Sequence, residues 1–479
     1  MPAYNLVDAP WIPVLAIDGT REEVGLRDAL TRAHQITPLP PNQEGVALLR
    51  LLLTAYDAAA GPATDAEWDT AWQADTLDAE RINTYLDTWQ HRFDLYHPER
   101  PAFQCGHIGA YNRGPEVLHP AYLGGDGGAF FNPQLAAGRP VPAAQAARWL
   151  LVLAGYDVAG IKAAPGGGRS YGAHVGPIAA VTHLHLTGRT LKDTLLLNLP
   201  PQPRQAGDTP AWERDCPELG TTEREPTGRL DWLTWTGRRI RLAPDSAGHV
   251  TAVAWHDGDR VPGGAWGAAH THDPVTAWSR DRNGNPMPLR VADDNSNGPH
   301  PWIGAHLLGG ETDAAPAPAE CEAFHHVVQA ARRGTLPSTY RLAAVVGTVI
   351  HGTRHRSTIA DAPVNALPIG TVWALADATM VTELRAARTY AIGRVTKLAW
   401  AVQTFAARPA FRPEVDFGAP WRQLLADLDE SNPEAAHRWR SAVDDIVARV
   451  ADTLGLPILT RAKVMAVCAL DQDLQGERG

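Results

Sequence analysis

The chain has 479 residues, with 43 Lys and Arg against 53 Asp and Glu, a net charge of −10 and a hydrophobic content of 44%. This length exceeds what one core can organise, so two or three domains are expected. The acid excess argues against a protein that coats nucleic acid by phosphate neutralisation alone. No apolar run approaches a membrane span, and no basic-then-apolar leader is visible. Cys105, Cys216, Cys321 and Cys468 lie far apart without a CxxC pair. The expectation is a cytoplasmic protein with free thiols, no disulfide framework and no zinc-ribbon spacing.

Taken in chain order, Pro10-Trp11-Ile12-Pro13 forbids helix, and Asp18-Gly19 supplies the positive-φ positions of a tight turn, so residues 8–25 read as a hairpin that carries one indole into a core. Leu26, Leu30 and Ala33 begin a short helix, and residues 46–58 form a strongly apolar one. Residues 70–93 are amphipathic, with Trp72, Ile82, Tyr85, Leu86 and Trp89 at helical spacing. Residues 118–142 hold the run Gly124-Gly125-Asp126-Gly127-Gly128 and read as a mobile surface loop. Residues 143–156 return to helix. Between Trp232 and Trp255 apolar residues alternate through Leu233, Trp235, Ile240, Leu242, Val250 and Val253, which predicts a hairpin turning at 245–248. Residues 262–310 show little periodicity. From Val381 to Ala406 a near-heptad rhythm is interrupted only by Arg388, and residues 421–428, 435–454 and 458–474 add amphipathic segments. Several antiparallel helices with short connections predict a helical bundle.

Catalytic patterns are missing. There is no HExxH or GxxxxGK[ST] motif, and Gly168-Arg169-Ser170-Tyr171-Gly172 matches GxSxG only by letter, in a glycine-rich run that follows a helix and not the strand a nucleophile elbow needs. The pairs His270/His272 and His325/His326 lack the i, i+4 spacing of two ligands on one helix face, and Asp293-Asp294 stands without further ligands. No catalytic residue, metal site or cofactor is therefore expected. Two features remain. From Ala323 to Ala360 there is no Asp or Glu, while Arg332, Arg333, Arg341, Arg354 and Arg356 share the stretch with four histidines. A solvated, acid-paired face and contact with a short piece of nucleic acid both account for such a ribbon. Gly166-Gly167-Gly168-Arg169-Ser170-Tyr171-Gly172 can bring backbone close to a ligand or simply connect two elements.

Several segments in order carry a resemblance. The opening Tyr4-Asn5-Leu6-Val7-Asp8-Ala9-Pro10-Trp11-Ile12-Pro13-Val14 resembles the start of CasA proteins, the large subunits of the type I-E CRISPR surveillance complex Cascade. His97-Pro98-Glu99-Arg100-Pro101-Ala102-Phe103-Gln104 is similar to that family's PERPFYQ segment, and Ala129-Phe130-Phe131-Asn132 to the end of its mobile loop. The glycine run, with Thr190-Leu191-Lys192-Asp193-Thr194-Leu195-Leu196-Leu197-Asn198 after it, resembles the family's glycine loop and following helix; Leu233 to Leu242, with Arg238, Arg239 and Arg241, resembles a further family segment.

The resemblance implies an α+β fold: a large, irregular mixed α/β domain over residues 1–366 that recognises the protospacer-adjacent motif (PAM), then a C-terminal four-helix bundle over residues 367–479. It implies minor-groove reading of double-stranded target DNA by three elements, followed by R-loop formation. Gly166, Gly167 and Gly168, with Arg169, would form the glycine loop. Arg280 or Arg282 would stand for a lysine finger, and His355 or Arg354, beside Arg356, for a glutamine wedge. Phe130, Phe131 and Asn132 would add DNA contacts from the mobile loop. The implied partners are PAM-containing duplex DNA, the Cascade subunits that carry the crRNA, and a helicase-nuclease, with no membrane. The cysteine pairs by which some members hold zinc are missing. Two other readings are a stand-alone nucleotide- or phosphate-binding enzyme built on residues 166–172 with His270 and His272, and a scaffold subunit without DNA readout.

Overall fold

The computed structural model describes residues 3–469 apart from 121–137, 161, 163–171, 173, 217–221, 281–282, 284, 290–320, 338, 352–358, 362–363, 372–377, 409–410, 412, 414, 416 and 430–431. The expected N-terminal hairpin is present: β1 (Ile12–Leu15) pairs antiparallel with β2 (Arg21–Val24), and Gly19 takes φ +90° in the turn. Trp11 is fully buried, and its indole N–H donates to Leu6 O at 2.8 Å. Next come α1 (Leu26–Thr31) and α2 (Gln43–Ala60); the Asn42 side chain caps α2 by accepting from Gly45 N–H at 2.7 Å.

Residues 70–93, expected as one amphipathic stretch, form parts of two helices. These are α3 (Asp65–Gln73), capped by Thr64, and α4 (Ala79–Trp89), capped by Asp78. Asp78 favours starting a new helix over continuing the old one, because its carboxylate satisfies the Arg81 N–H at 3.0 Å. α5 (Ala143–Tyr156) matches its expected span, and α6 (Leu191–Leu197) starts at the Thr190 cap.

A three-stranded antiparallel sheet, not anticipated from the sequence, lies at the centre. Its order is β11-β8-β3, with β3 (His183–Thr187) and, further along the chain, β8 (Arg341–Gly347) and β11 (Val364–Thr371). The hairpin expected over Trp232 to Trp255 is β4 (Arg238–Pro244) with β5 (Val250–Asp257), but Trp232 and Leu233 belong to α7 (Arg229–Leu233) instead. A short α8 (Trp266–Ala269) precedes a second hairpin, β6 (Trp278–Arg280) with β7 (Pro286–Pro288). After α9 (Glu322–Arg332) and β8 the chain forms the small ladder of β9 (Ile350–His351) and β10 (Ile359–Asp361).

The C-terminal part is helical, as expected. α10 (Ala378–Phe405), α11 (Gly418–Asp429), α12 (Ala435–Thr453) and α13 (Ile458–Ala469) pack on one another, and α11 also packs on β11. Ala435, Trp439, Val443, Val447 and Ala451 make a strict buried stripe at four-residue spacing. On α10 the core stripe runs through Leu384, Ala387, Ala391, Val395 and Leu398, so Ile392 of the expected heptad points outward. One continuous apolar cluster joins Leu6 and Trp11 to Trp439 and Val443.

The cysteine expectation is corrected. Cys105 and Cys216 form a disulfide across a sequence separation of 111. Cys105 N–H donates to Ile240 O at 2.9 Å, and Arg92 holds the neighbouring Arg214 O and Asp215 carboxylate, which brings the two Cα atoms to 5.4 Å. Such a contact leaves no mark in sequence spacing. Cys321 and Cys468 are free and buried, and burial pushes the Cys321 thiol up to about 12. Among the described residues no single helix is long and apolar enough to cross a membrane.

Candidate nucleic-acid interface

Of the residues expected to contact DNA, only Arg280 falls in a described element, as the last residue of β6, with its backbone opposite Pro286. Gly166, Gly167, Gly168, Arg169, Arg282, Arg354, His355, Arg356, Phe130, Phe131 and Asn132 lie outside the described residues. The geometry that can be built is that of the shoulders from which these segments leave.

Three sets of shoulders meet at residues 175–182, directly after the glycine-rich stretch. Thr182 N–H donates to Leu289 O at 2.8 Å, and Ala277 N–H donates to Thr182 O at 2.9 Å, so Thr182 joins both feet of the β6–β7 hairpin. Thr182 Oγ1 donates to Thr348 Oγ1 at 3.1 Å, two residues before β9. Val175, Ile178 and Val181 share an apolar cluster with Val349. His351 then pairs with Ile359 across the ladder that flanks residues 352–358.

The β4–β5 hairpin holds the remaining shoulders. Arg113 and Val253 exchange backbone hydrogen bonds of 3.0 and 2.9 Å, and Val141 and Val250 exchange bonds of 3.0 and 2.8 Å, fixing both sides of 121–137 on β5. At the other end of β5, the Asp257 carboxylate accepts from Lys162 N–H at 3.1 Å, and Lys162 Nζ stands 4.5 Å from the Trp255 ring centroid. Beyond the loop, the His174 ring stacks on Trp266 with centroids 4.7 Å apart.

Beneath this junction lies a buried polar group that sequence reading missed. Arg50 of α2 pairs with Asp273, and His183 Nδ1 stands 3.8 Å from the same carboxylate. Burial pushes Asp273 up, but Arg50 and His183 outweigh it and leave the acid at about 2. Burial, reinforced by neighbouring His183, drives His185 down to about 3. One signal was legible: Arg50 interrupts Val46-Ala47-Leu48-Leu49 and Leu51-Leu52-Leu53, and a charge inside such a helix needs a buried partner. An ionised acid–guanidinium pair and neutral imidazoles make a fixed framework rather than a proton-transfer site working near neutral pH.

The basic ribbon divides. Arg332 and Arg333 end α9, and Arg333 pairs with Asp65 and Asp69 at 3.3 and 3.2 Å, while Arg341 lies on β8. In that half Arg333 is acid-paired; Arg354 and Arg356 lie beyond the described residues. His270 is enclosed between Trp232 and Trp266, and burial lowers His272. A cleft of about 710 Å³ is lined by Arg92, Arg100, Arg214, Arg224 and Arg239 beside the disulfide. Asp215, Asp231 and Asp259 pair with these arginines. Among the described residues no group of three or more His, Cys, Asp or Glu side chains is placed to hold a metal ion.

The chain is an α+β protein whose central antiparallel sheet and irregular hairpins are followed by packed C-terminal helices. It belongs to the family of CRISPR-associated protein Cse1, whose model matches residues 5–452. The CRISPR-associated protein CasA/Cse1 of Thermus thermophilus is 33% identical over 307 residues, 61% of this chain and 58% of that protein. The aligned region therefore spans less than two thirds of that relative. The crystal structure of Thermobifida fusca Cse1 matches with a TM-score of 0.79 at 25% identity, over 98% of both chains. A chain of a CRISPR RNA-guided surveillance complex shares the fold, with a TM-score of 0.73 at 19% identity over 98% of this chain and 99% of that one.

Proposed function

We propose that this chain is the large subunit of a type I-E Cascade surveillance complex and that it recognises the PAM of foreign double-stranded DNA from the minor-groove side. Residues 1–366 carry recognition and residues 367–479 the helical contact region, and β11, which pairs with the sheet over Val364–Thr371, spans that boundary. Gly166 to Gly168 lie against base edges, Arg280 or Arg282 enters the narrow groove, and His355 or Arg354 wedges into the stack beside Arg356. Arg169, Phe130, Phe131 and Asn132 add contacts around the opened strands. The protein reads the short motif and the guide RNA reads the target, so little net positive charge is needed. It works without a catalytic step of its own and hands the opened DNA to a helicase-nuclease.

The observation that carries this reading is the convergence of the shoulders of 163–171, 281–285 and 352–358 on residues 175–182. Three segments that must act on one short stretch of duplex need one rigid base. Family membership supports the same reading.

The test uses the complex reconstituted around this subunit. The wild-type complex first selects its PAM from a duplex library randomised beside the protospacer. Changing Gly167 and Gly168 to Val, or His355→Ala, is expected to weaken binding to the selected duplex about tenfold, the scale of one lost base-step contact. Binding to a guide-complementary single strand should stay unchanged. Retained PAM preference in both variants would refute the assignment.

A further inference from the structure

The strongest unassigned feature is the way residues 159–173 are closed at their neck. α5 ends at Tyr156 with Asp157 as its cap, and the chain returns at His174. Gly176 N–H donates to Asp157 O at 2.7 Å. A Cβ on Gly176 would stand 2.3 Å from Gly155 O, so only glycine permits this approach. Ile178 N–H then donates back to Gly155 O at 3.0 Å. These contacts pinch the base of the loop without fixing its two shoulders above the pinch.

Arg238 fixes them. This β4 side chain is buried, and its Nη2 donates both to Val158 O at 3.0 Å, on the outgoing strand, and to His174 O at 2.8 Å, on the returning one. Nη1 donates to Gly237 O at 2.8 Å, and Nε pairs with the Asp157 carboxylate, which is itself buried. The other Asp157 oxygen lies 3.5 Å from Lys162 Nζ. One planar guanidinium thus ties the end of α5, both shoulders of the loop and the edge of β4. An ammonium on a flexible stem cannot reproduce that geometry. The charge is used inside the protein and is not presented to a phosphate.

We infer that Arg238 is a positioning residue that sets the separation and tilt of the glycine-loop shoulders and so governs how sharply the subunit discriminates PAMs. The inference rests on the reading of residues 166–168 as a DNA-contacting element. Arg238 itself need not touch DNA.

The experiment compares reconstituted complexes carrying Arg238→Lys, Arg238→Met or Gly167→Val with wild type. The probes are the duplex with the selected PAM, the same duplex with that motif mutated, and the guide-complementary single strand. Arg238→Lys is expected to lower the selected-over-mutated affinity ratio about fivefold, the scale of one lost hydrogen bond, and to leave single-strand binding unchanged. Amide exchange over 158–162 and 172–176 should quicken by about tenfold, while exchange in β3 and β8 holds, because the loosening is local. If Arg238→Met prevents assembly, the Lys variant and its exchange pattern carry the test. A ratio unchanged in Arg238→Lys but lost in Gly167→Val overturns the role of Arg238 and leaves the PAM reading intact. A ratio unchanged in Gly167→Val overturns that reading and this inference with it.

Discussion

Ahead of the C-terminal helices the interior contains charge: Arg50 with Asp273, Arg238 with Asp157 and Arg239 with Asp259 are buried on both sides. Between the C-terminal helices it is made of Trp439, Val443, Val447, Leu398 and small alanines. Where Arg394 does pair with Asp444, at 2.8 Å, the carboxylate side chain is 44% exposed. Apolar packing tolerates exchange of one small side chain for another, whereas a buried ion pair is satisfied in one geometry and costly in any other. The region whose loops are proposed to read DNA is thus the one held by contacts that admit little drift. The helical region instead turns Trp400, Ile458 and Leu459 to the surface.

The sharpest way to break this contrast is to remove a guanidinium from each region. Arg50→Met strands the Asp273 carboxylate in an apolar interior and should cost about 4 kcal/mol in urea unfolding at pH 7.5. Arg394→Met leaves Asp444 partly in water and should cost about 1 kcal/mol. Equal losses would mean that burial of the partner does not separate the two regions.

Acid tests the same difference. His185 is held down to about 3, so the folded state resists protonation while the unfolded state accepts a proton near the ordinary value of 6.5. The unfolded chain therefore binds more protons below 6.5, and stability falls with falling pH from there towards 3. His185 alone accounts for a loss of about 2 kcal/mol between pH 7 and pH 5, by that linkage. Urea midpoints measured at the two values should differ less in His185→Leu; an undiminished difference would place the proton uptake elsewhere. The smallest effect is expected on the basic face. Arg333→Ala should change stability by less than about 1 kcal/mol, and by less still in high salt, because Asp65 and Arg333 are both solvated.

How far the sequence could be read follows from how local each determinant is. The β1–β2 hairpin was legible because Asp18-Gly19 fixes its turn within the same few residues, and α5 because its apolar spacing repeats within one short segment. The sheet was not, since β3 must find β8 more than 150 residues away, as His183 opposite Gly347. No turn chemistry announces such a pairing. The Cys105–Cys216 contact escaped for the same reason. At the candidate site, composition revealed the glycine run itself. What anchors it stayed hidden, because alternation along β4 puts Arg239 on the face opposite Ile240 and Leu242, where solvent is expected, while the structure buries both Arg238 and Arg239. Three arginines within one short strand, Arg238, Arg239 and Arg241, were the available hint that the strand is not half-solvated.

The closed neck also shapes how such a chain can diverge. Gly155, Gly176 and Arg238 meet a steric and hydrogen-bonding demand that allows few alternatives. Residues between the shoulders are under no such demand from the neck. Drift in length and side chains can therefore accumulate inside the loop without reaching β3 or the buried pair of Arg50 and Asp273. A lineage pressed by changing invaders could retune which motif it accepts by exchanging the tip alone, while inheriting the base unchanged.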